Sequence, residues 1–137
     1  MDATPLPEEL RGIPALSIHQ PYAWLIAEGV KDIENRSWYT QYRGQFLIHA
    51  AKTTQAFDDI ELLEEITATA AVRKTVIIPP REAFMLGGIV GIAEIADCVQ
   101  AHPSVWLQPG CWGFVIRNAR PLPFFPCRGR LGFFYVK

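Results

Sequence analysis

The chain is predicted to fold as an α+β domain, a small β-barrel of about five to six strands flanked by two or more helices. Three observations predict it. Short runs of alternating apolar and polar residues recur between Gly- and Pro-containing turn signals. Two stretches between them carry apolar residues at helical spacing. One long alternating run, 87–99 (GGIVGIAEIADCV), is rich in the small residues that suit a tightly curved sheet. A chain of 137 residues suits one domain with a core that needs no staples.

Each element has its own signal. Residues 1–14 are expected to form a poorly structured arm, because Pro5, Pro7 and Gly12 interrupt any regular pattern, and 15–137 the single domain. Residues 15–19 alternate as a first strand. Pro21 then fits the first turn of a helix and Gly29 the position past its end, with Tyr22, Leu25 and Ile26 facing inward. Residues 32–38 read as a second strand and 45–50, after a turn at 41–44, as a third. Thr53 or Thr54 is placed to cap a helix reaching about residue 70, with Phe57, Ile60, Leu63 and Ile66 at helical spacing. Pro79-Pro80 ends the segment after that helix. The last strands fall at 87–99, 111–117 and 131–136, with Pro103, Pro109 and Gly110 bounding a loop.

Composition narrows the class. Hydrophobic residues make up 50% and charged residues 20%, an ordinary globular balance. No apolar run approaches the ~20 residues of a membrane span, and the acidic, Pro-containing start does not resemble a signal peptide. Cys98, Cys111 and Cys127 are odd in number, form no CxxC pair and have no His at metal-ligand spacing. Reduced thiols, no metal site, no cofactor and a cytoplasmic location are the expectations. A net charge of −1 argues against indiscriminate binding to polyanions. Its distribution is uneven, however. Residues 117–137 hold Arg117, Arg120, Arg128, Arg130 and Lys137 and no acid, whereas Asp58, Asp59, Glu61, Glu64 and Glu65 cluster on the second helix. This leaves either one electropositive face or an ordinary solvated surface.

Residues 16–52 concentrate the candidate chemistry. They contain two of the three histidines and two of the four tryptophans, interleaved with Lys31, Glu34, Arg36, Arg43 and Lys52. On an extended segment Glu34 and Arg36 project from the same face. If that face looks into a cleft, Glu34 accepts from base amino or sugar hydroxyl groups. Arg36 then either forks onto a phosphate or orients Glu34 by an ion pair. The bland alternative is a sheet-surface pair worth ~0–1 kcal/mol. Lys31, just after Gly29, is expected at the cleft mouth as a point charge, or as a solvated residue at a helix end. His19 is a donor, a general acid or a structural histidine. Tyr22 and Trp38 are candidates to stack a base, worth ~1–3 kcal/mol. Gln20 belongs to the turn after the first strand. Arg43 contacts phosphate or only solvent, Lys52 extends the basic set, and His49 reads as a satisfied sheet residue. Phosphate loops and nucleophile-elbow motifs are absent.

The ordered runs LSIHQPYAWLI, GVKDIENRSW and YRGQFLIHAAK resemble the ASCH domain, a PUA-like module named after a transcriptional coactivator. Its Gly-x-Lys-x-x-Glu-x-Arg hallmark is matched by Gly29, Lys31, Glu34 and Arg36. The segments 19–21, 37–40 and 43–44 fit as well, and GIVGIAEIADC and GRLGFF are similar to its later strands. The resemblance implies a barrel with a cleft lined by that motif, binding RNA, another single-stranded nucleic acid or a nucleotide. Together with the residue reading, the binding candidates are His19, Gln20, Tyr22, Lys31, Glu34, Arg36, Trp38, Arg43 and Lys52. It also implies an alternative, since some members are hydrolases: ribonucleases, or amidohydrolases of N4-acetylcytidine. Lys31 and Glu34 would then be catalytic. The amidohydrolase branch has Thr where Glu34 stands, and a separate catalytic Glu for which Glu94 is the candidate. A third alternative is a protein-interaction module of the coactivator type. Glu34 beside Lys31 is expected to raise the lysine pKa and keep it charged, which favours binding over base catalysis.

Overall fold

The computed structural model describes residues 5–68 and 77–136. Six strands, β1 Ala15–Ile18, β2 Ile33–Arg36, β3 Gly44–Ala50, β4 Gly88–Val99, β5 Trp112–Pro126 and β6 Phe133–Phe134, form one sheet in the order β2-β5-β4-β3-β1-β6. β1 and β3 pair in parallel and the other neighbours antiparallel. The one parallel pair needs a crossover, and α1 (Tyr22–Ala27) followed by β2 supplies it. The sheet curls until its ends approach. Arg36, at the end of edge strand β2, donates from Nη2 to the Ser17 carbonyl of β1 at 2.6 Å. Trp38, two residues on, meets the Phe133 ring of β6 at 5.9 Å. The result is a small α+β half-barrel with two helices packed on it, as the strand and helix signals foretold.

The concave face closes on α1. Ala23, Ile26 and Ala27 bury against Leu16, Phe46, Ile48, Ala93, Ile95 and Phe114. Gly91 is what lets the helix settle there, because a Cβ on it would lie 2.9 Å from the Ala27 Cβ and 2.9 Å from the Arg120 carbonyl. α2 (Ile60–Thr67) contributes Leu63 to a second cluster with Leu25, Val30, Ile33 and Trp106.

Four elements differ from the sequence reading. The helix expected from Thr53 or Thr54 becomes α-helical only at Ile60, after a 3-10 turn over Gln55–Asp59 whose Thr54 makes no capping bond. Its expected end near 70 lies outside the described residues. β5 runs on from Arg117 to Pro126 despite three prolines. They are tolerated because β2 covers only Trp112–Val115, so the remainder of β5 is paired on one side alone. β6 is cut to two residues. Finally, the segment before β1, expected as an irregular arm, makes a 3-10 turn at Glu8–Leu10 and buries Leu6 and Leu10 against Ala15, Leu47, Ile89, Ile92 and Phe134. Two leucines bracketing one turn suffice to hold it, and Arg11 Nε donates to the Leu6 carbonyl at 3.1 Å.

Among the described residues the three cysteines are free thiols, no cluster of metal-binding side chains occurs, and no helix is long and apolar enough to cross a membrane.

Candidate functional site

The end of α1 sets the site. Gly29 takes a left-handed φ of 76° and the Val30 and Lys31 amides both return to the Leu25 carbonyl, at 2.9 and 3.1 Å. This glycine-terminated cap turns the chain back under its own helix. Lys31 is thereby drawn inward and β2 starts beneath α1. Pairing of β2 with β5 fixes an alternation in which Glu34 and Arg36 point the same way.

They point into a cleft of about 400 Å³ whose walls include Ser17, His19, Tyr22, Lys31, Glu34, Arg36, Trp38 and Gln108. Such a volume falls within the range of small-ligand sites, ~300–1,000 Å³. Glu34 is nearly buried and held from both sides: Oε2 accepts from Arg36 Nε at 2.9 Å, and Oε1 lies 3.7 Å from Lys31 Nζ. Arg36 therefore takes the orienting role. One edge of its guanidinium grips Glu34 and the other the Ser17 carbonyl, so the same side chain shapes the cleft and ties β2 to β1.

Lys31 is a correction. Expected at the cleft mouth, it stands on the floor with 5% of its surface exposed, donating to the Ile33 carbonyl and facing the rings of Tyr22 at 5.5 Å and Trp106 at 5.9 Å. Its pKa is also displaced in the opposite sense from that expected: burial lowers it from 10.5, and the attraction of Glu34 and Asp32 opposes this without overcoming it. The consequence for stability has a definite sign. The unfolded chain holds this proton more tightly than the folded one, so the lysine favours the folded state increasingly as pH rises from its lowered folded value toward 10.5. The melting-temperature difference between wild type and Lys31→Met should shift in favour of wild type across that window. A pH-independent difference would contradict it.

The other candidates separate cleanly. His19 is exposed on the turn after β1 and lines the cleft; Tyr22 and the half-buried Trp38 form aromatic walls. Burial is the main reason the Tyr22 phenol is pushed up, with Asp59 nearby adding to it. Gln20 is not brought in. It is 2% exposed, its Nε2 donating to the Met85 carbonyl at 3.1 Å and its Oε1 accepting from the Trp24 amide at 2.9 Å, which fastens α1 to the loop before β4. Arg43 turns back on its own bend, donating to the Thr40 and Tyr42 carbonyls at 2.8 and 3.0 Å and lying 3.6 Å from Asp97. Lys52 lies outside the cleft, along a neighbouring groove. Glu94, the candidate second carboxylate, is absent from the cleft; it accepts from Arg117 at 3.0 Å and Asn118 at 2.8 Å, bonds that hold its pKa down.

Sequence reasoning missed Asn35 and Gln108. Asn35 Nδ2 donates to the Trp106 carbonyl at 2.9 Å and its Oδ1 accepts from the Gln108 amide at 3.0 Å, pinning the 103–110 loop as the rim. An asparagine inside the motif between two cleft-facing charges was the available signal. Its partners were not.

Curled sheet, crossover helix and motif-lined cleft together define a PUA-like barrel domain. More narrowly, the chain belongs to the ASCH domain family, whose model matches residues 16–109. It is 31% identical over 84 residues to Activating signal cointegrator 1 of Homo sapiens and, to the same extent, to that of Mus musculus. The match takes in 61% of this chain but 14% of each relative.

Proposed function

We propose that the cleft binds one unstacked nucleotide of single-stranded RNA or a related nucleic acid, without chemistry. The observation that carries this is the Glu34 carboxylate, fixed by Arg36 and Lys31 between the aromatic walls of Tyr22 and Trp38. A carboxylate with its orientation already fixed accepts from an exocyclic amino group or a ribose hydroxyl at little ordering cost. Tyr22 or Trp38 offers a π-face of the kind on which unpaired bases stack. ASCH membership, in a PUA-like family linked to RNA, points the same way.

A second reading has one specific observation in its favour. The lowered pKa of Lys31 makes its amine easier to deprotonate, as a base or nucleophile in a hydrolase requires. Against it, no second carboxylate lines the cleft among the described residues, since Glu94 is engaged elsewhere.

Thermal-shift titration separates the two. Nucleotides and short single-stranded RNA should raise the melting temperature in a concentration-dependent way and be recovered intact. Release of free cytidine from N4-acetylcytidine, or shortening of the RNA, that disappears in Lys31→Met would favour the hydrolase. No stabilisation by any nucleotide or RNA would contradict binding.

A further inference from the structure

We infer that the cleft opens into a second subsite that takes the sugar-phosphate chain flanking the bound nucleotide, which makes the ligand a single-stranded oligonucleotide and not a free nucleoside. This inference rests on the nucleotide reading of the cleft. A groove of about 980 Å³ adjoins it and shares Ser17, His19 and Arg36 with it. Residues 126–132 line it together with His49, Ala51, Lys52 and Gly87. The groove has no carboxylate among its lining residues. Lys52, Arg128 and Arg130 line it as exposed cations, and none of them makes an ion pair among the described residues. Unpaired cations along an acid-free groove suit a chain of phosphates.

The wall that carries the two arginines is fastened to the sheet. The Cys127 carbonyl can only accept, so His49 Nε2 donates to it at 2.9 Å, leaving Nδ1 to accept from the Ser17 hydroxyl at 3.0 Å. The Cys127 amide bonds the Gly87 carbonyl at 3.1 Å, and Gly129 lies so flat on His49 that a Cβ there would come within 2.7 Å of the ring. The cations therefore stand on a braced segment, which lowers the ordering cost of gripping a flexible ligand. Leu131, fully exposed in the same wall, offers an apolar contact to a neighbouring base.

Electrostatics also gives the ligand a direction. At the Tyr22 end, Asp59 is near enough to raise the phenol pKa, and the exposed acids of α2 come next along the chain. Phosphates are drawn instead toward the side of the cleft shared with the groove, where Arg36 leads out. The nucleobase enters the cleft and the chain leaves past Arg128 and Arg130.

The test compares wild type with an Arg128→Gln/Arg130→Gln double variant by fluorescence anisotropy across a salt series. The probes are labelled single-stranded RNA and DNA oligomers, with an unlabelled mononucleotide measured by thermal shift. Both arginines are exposed, so the variant should keep the wild-type melting temperature. Oligomer affinity should fall about tenfold or more at low salt, and the slope of log affinity against log salt should shrink by roughly 1.4, about 0.7 for each phosphate no longer neutralised. Mononucleotide binding should not change. Reduced oligomer affinity in both the RNA and DNA arms supports recognition of the phosphodiester chain. Unchanged oligomer affinity and slope, with the mononucleotide still bound, would overturn the groove and leave the cleft standing. Wild type binding neither probe would overturn both. A polyglutamate peptide bound by wild type but not by the double variant, with no oligomer binding, would overturn the inference in favour of an acidic protein partner.

Discussion

Glu34→Ala should be among the most damaging single substitutions in this domain. The change leaves Lys31, 5% exposed, and the partly buried Arg36 facing each other with no anion between them. Removing one partner of a buried ion pair costs about 3–5 kcal/mol, because the survivors keep their desolvation penalty. Lys31 escapes part of that cost by giving up its proton, since its pKa, already lowered, loses the attraction that opposed the shift. Arg36 has no such escape, and with its Glu34 bond gone its hold on Ser17 loosens too. Thermal melts should show a drop of roughly 10 °C or more, given a few degrees per kcal/mol for a chain of this size. Glu34→Gln also removes the anion but keeps the shape and an acceptor for Arg36, so it should lose less stability than Glu34→Ala while still losing affinity for the nucleotide. Equal melting temperatures for Glu34→Ala and wild type would mean that the triad contributes nothing to the fold.

Trp38→Ala is the second large effect, and it acts on the barrel seam. The indole meets Phe114 edge-on at 5.2 Å and Phe133 at 5.9 Å, rings that belong to β5 and β6 on either side of the curl. Truncating a large aromatic costs ~3–5 kcal/mol in a full core, and the half-buried position places this one near 3 kcal/mol. The same substitution removes one wall of the cleft, so nucleotide affinity should fall by roughly five- to a hundredfold if a base stacks there, the equivalent of ~1–3 kcal/mol. Trp38→Phe keeps an aromatic face and should recover most of both losses. Urea melts of the two variants, with nucleotide titrations on each, test this. A Trp38→Ala protein as stable as wild type would place the ring outside the seam.

How much of this was legible in the sequence depends on the range of the interactions. The Glu34–Arg36 pairing needed only the two-residue period of a strand, and the cap at Gly29 only a glycine after an apolar helix. Both are local, and both emerged. The depth of Lys31 was not legible, because Tyr22 and Trp106, the rings that enclose it, come from opposite sides in the chain. Gln20 looked available for binding in a turn, but the carbonyl that claims it belongs to Met85. Arg43 looked free and is spent on the carbonyls of its own bend. The basic tract near the C-terminus was visible as composition. Its position beside the cleft depends on β5 continuing through its prolines until Pro126 lies opposite Gly88, a pairing that no local pattern announces.

Occupation of the cleft around Glu34 by a nucleotide is read out by an NMR titration of the isotopically labelled protein with a mononucleotide. Saturable shifts should concentrate in the backbone amides of 17–19 and 34–38 and in the Arg36 Nε signal, with the far side of α2 unmoved. Saturable shifts centred elsewhere on the domain, or none at millimolar nucleotide, would contradict it.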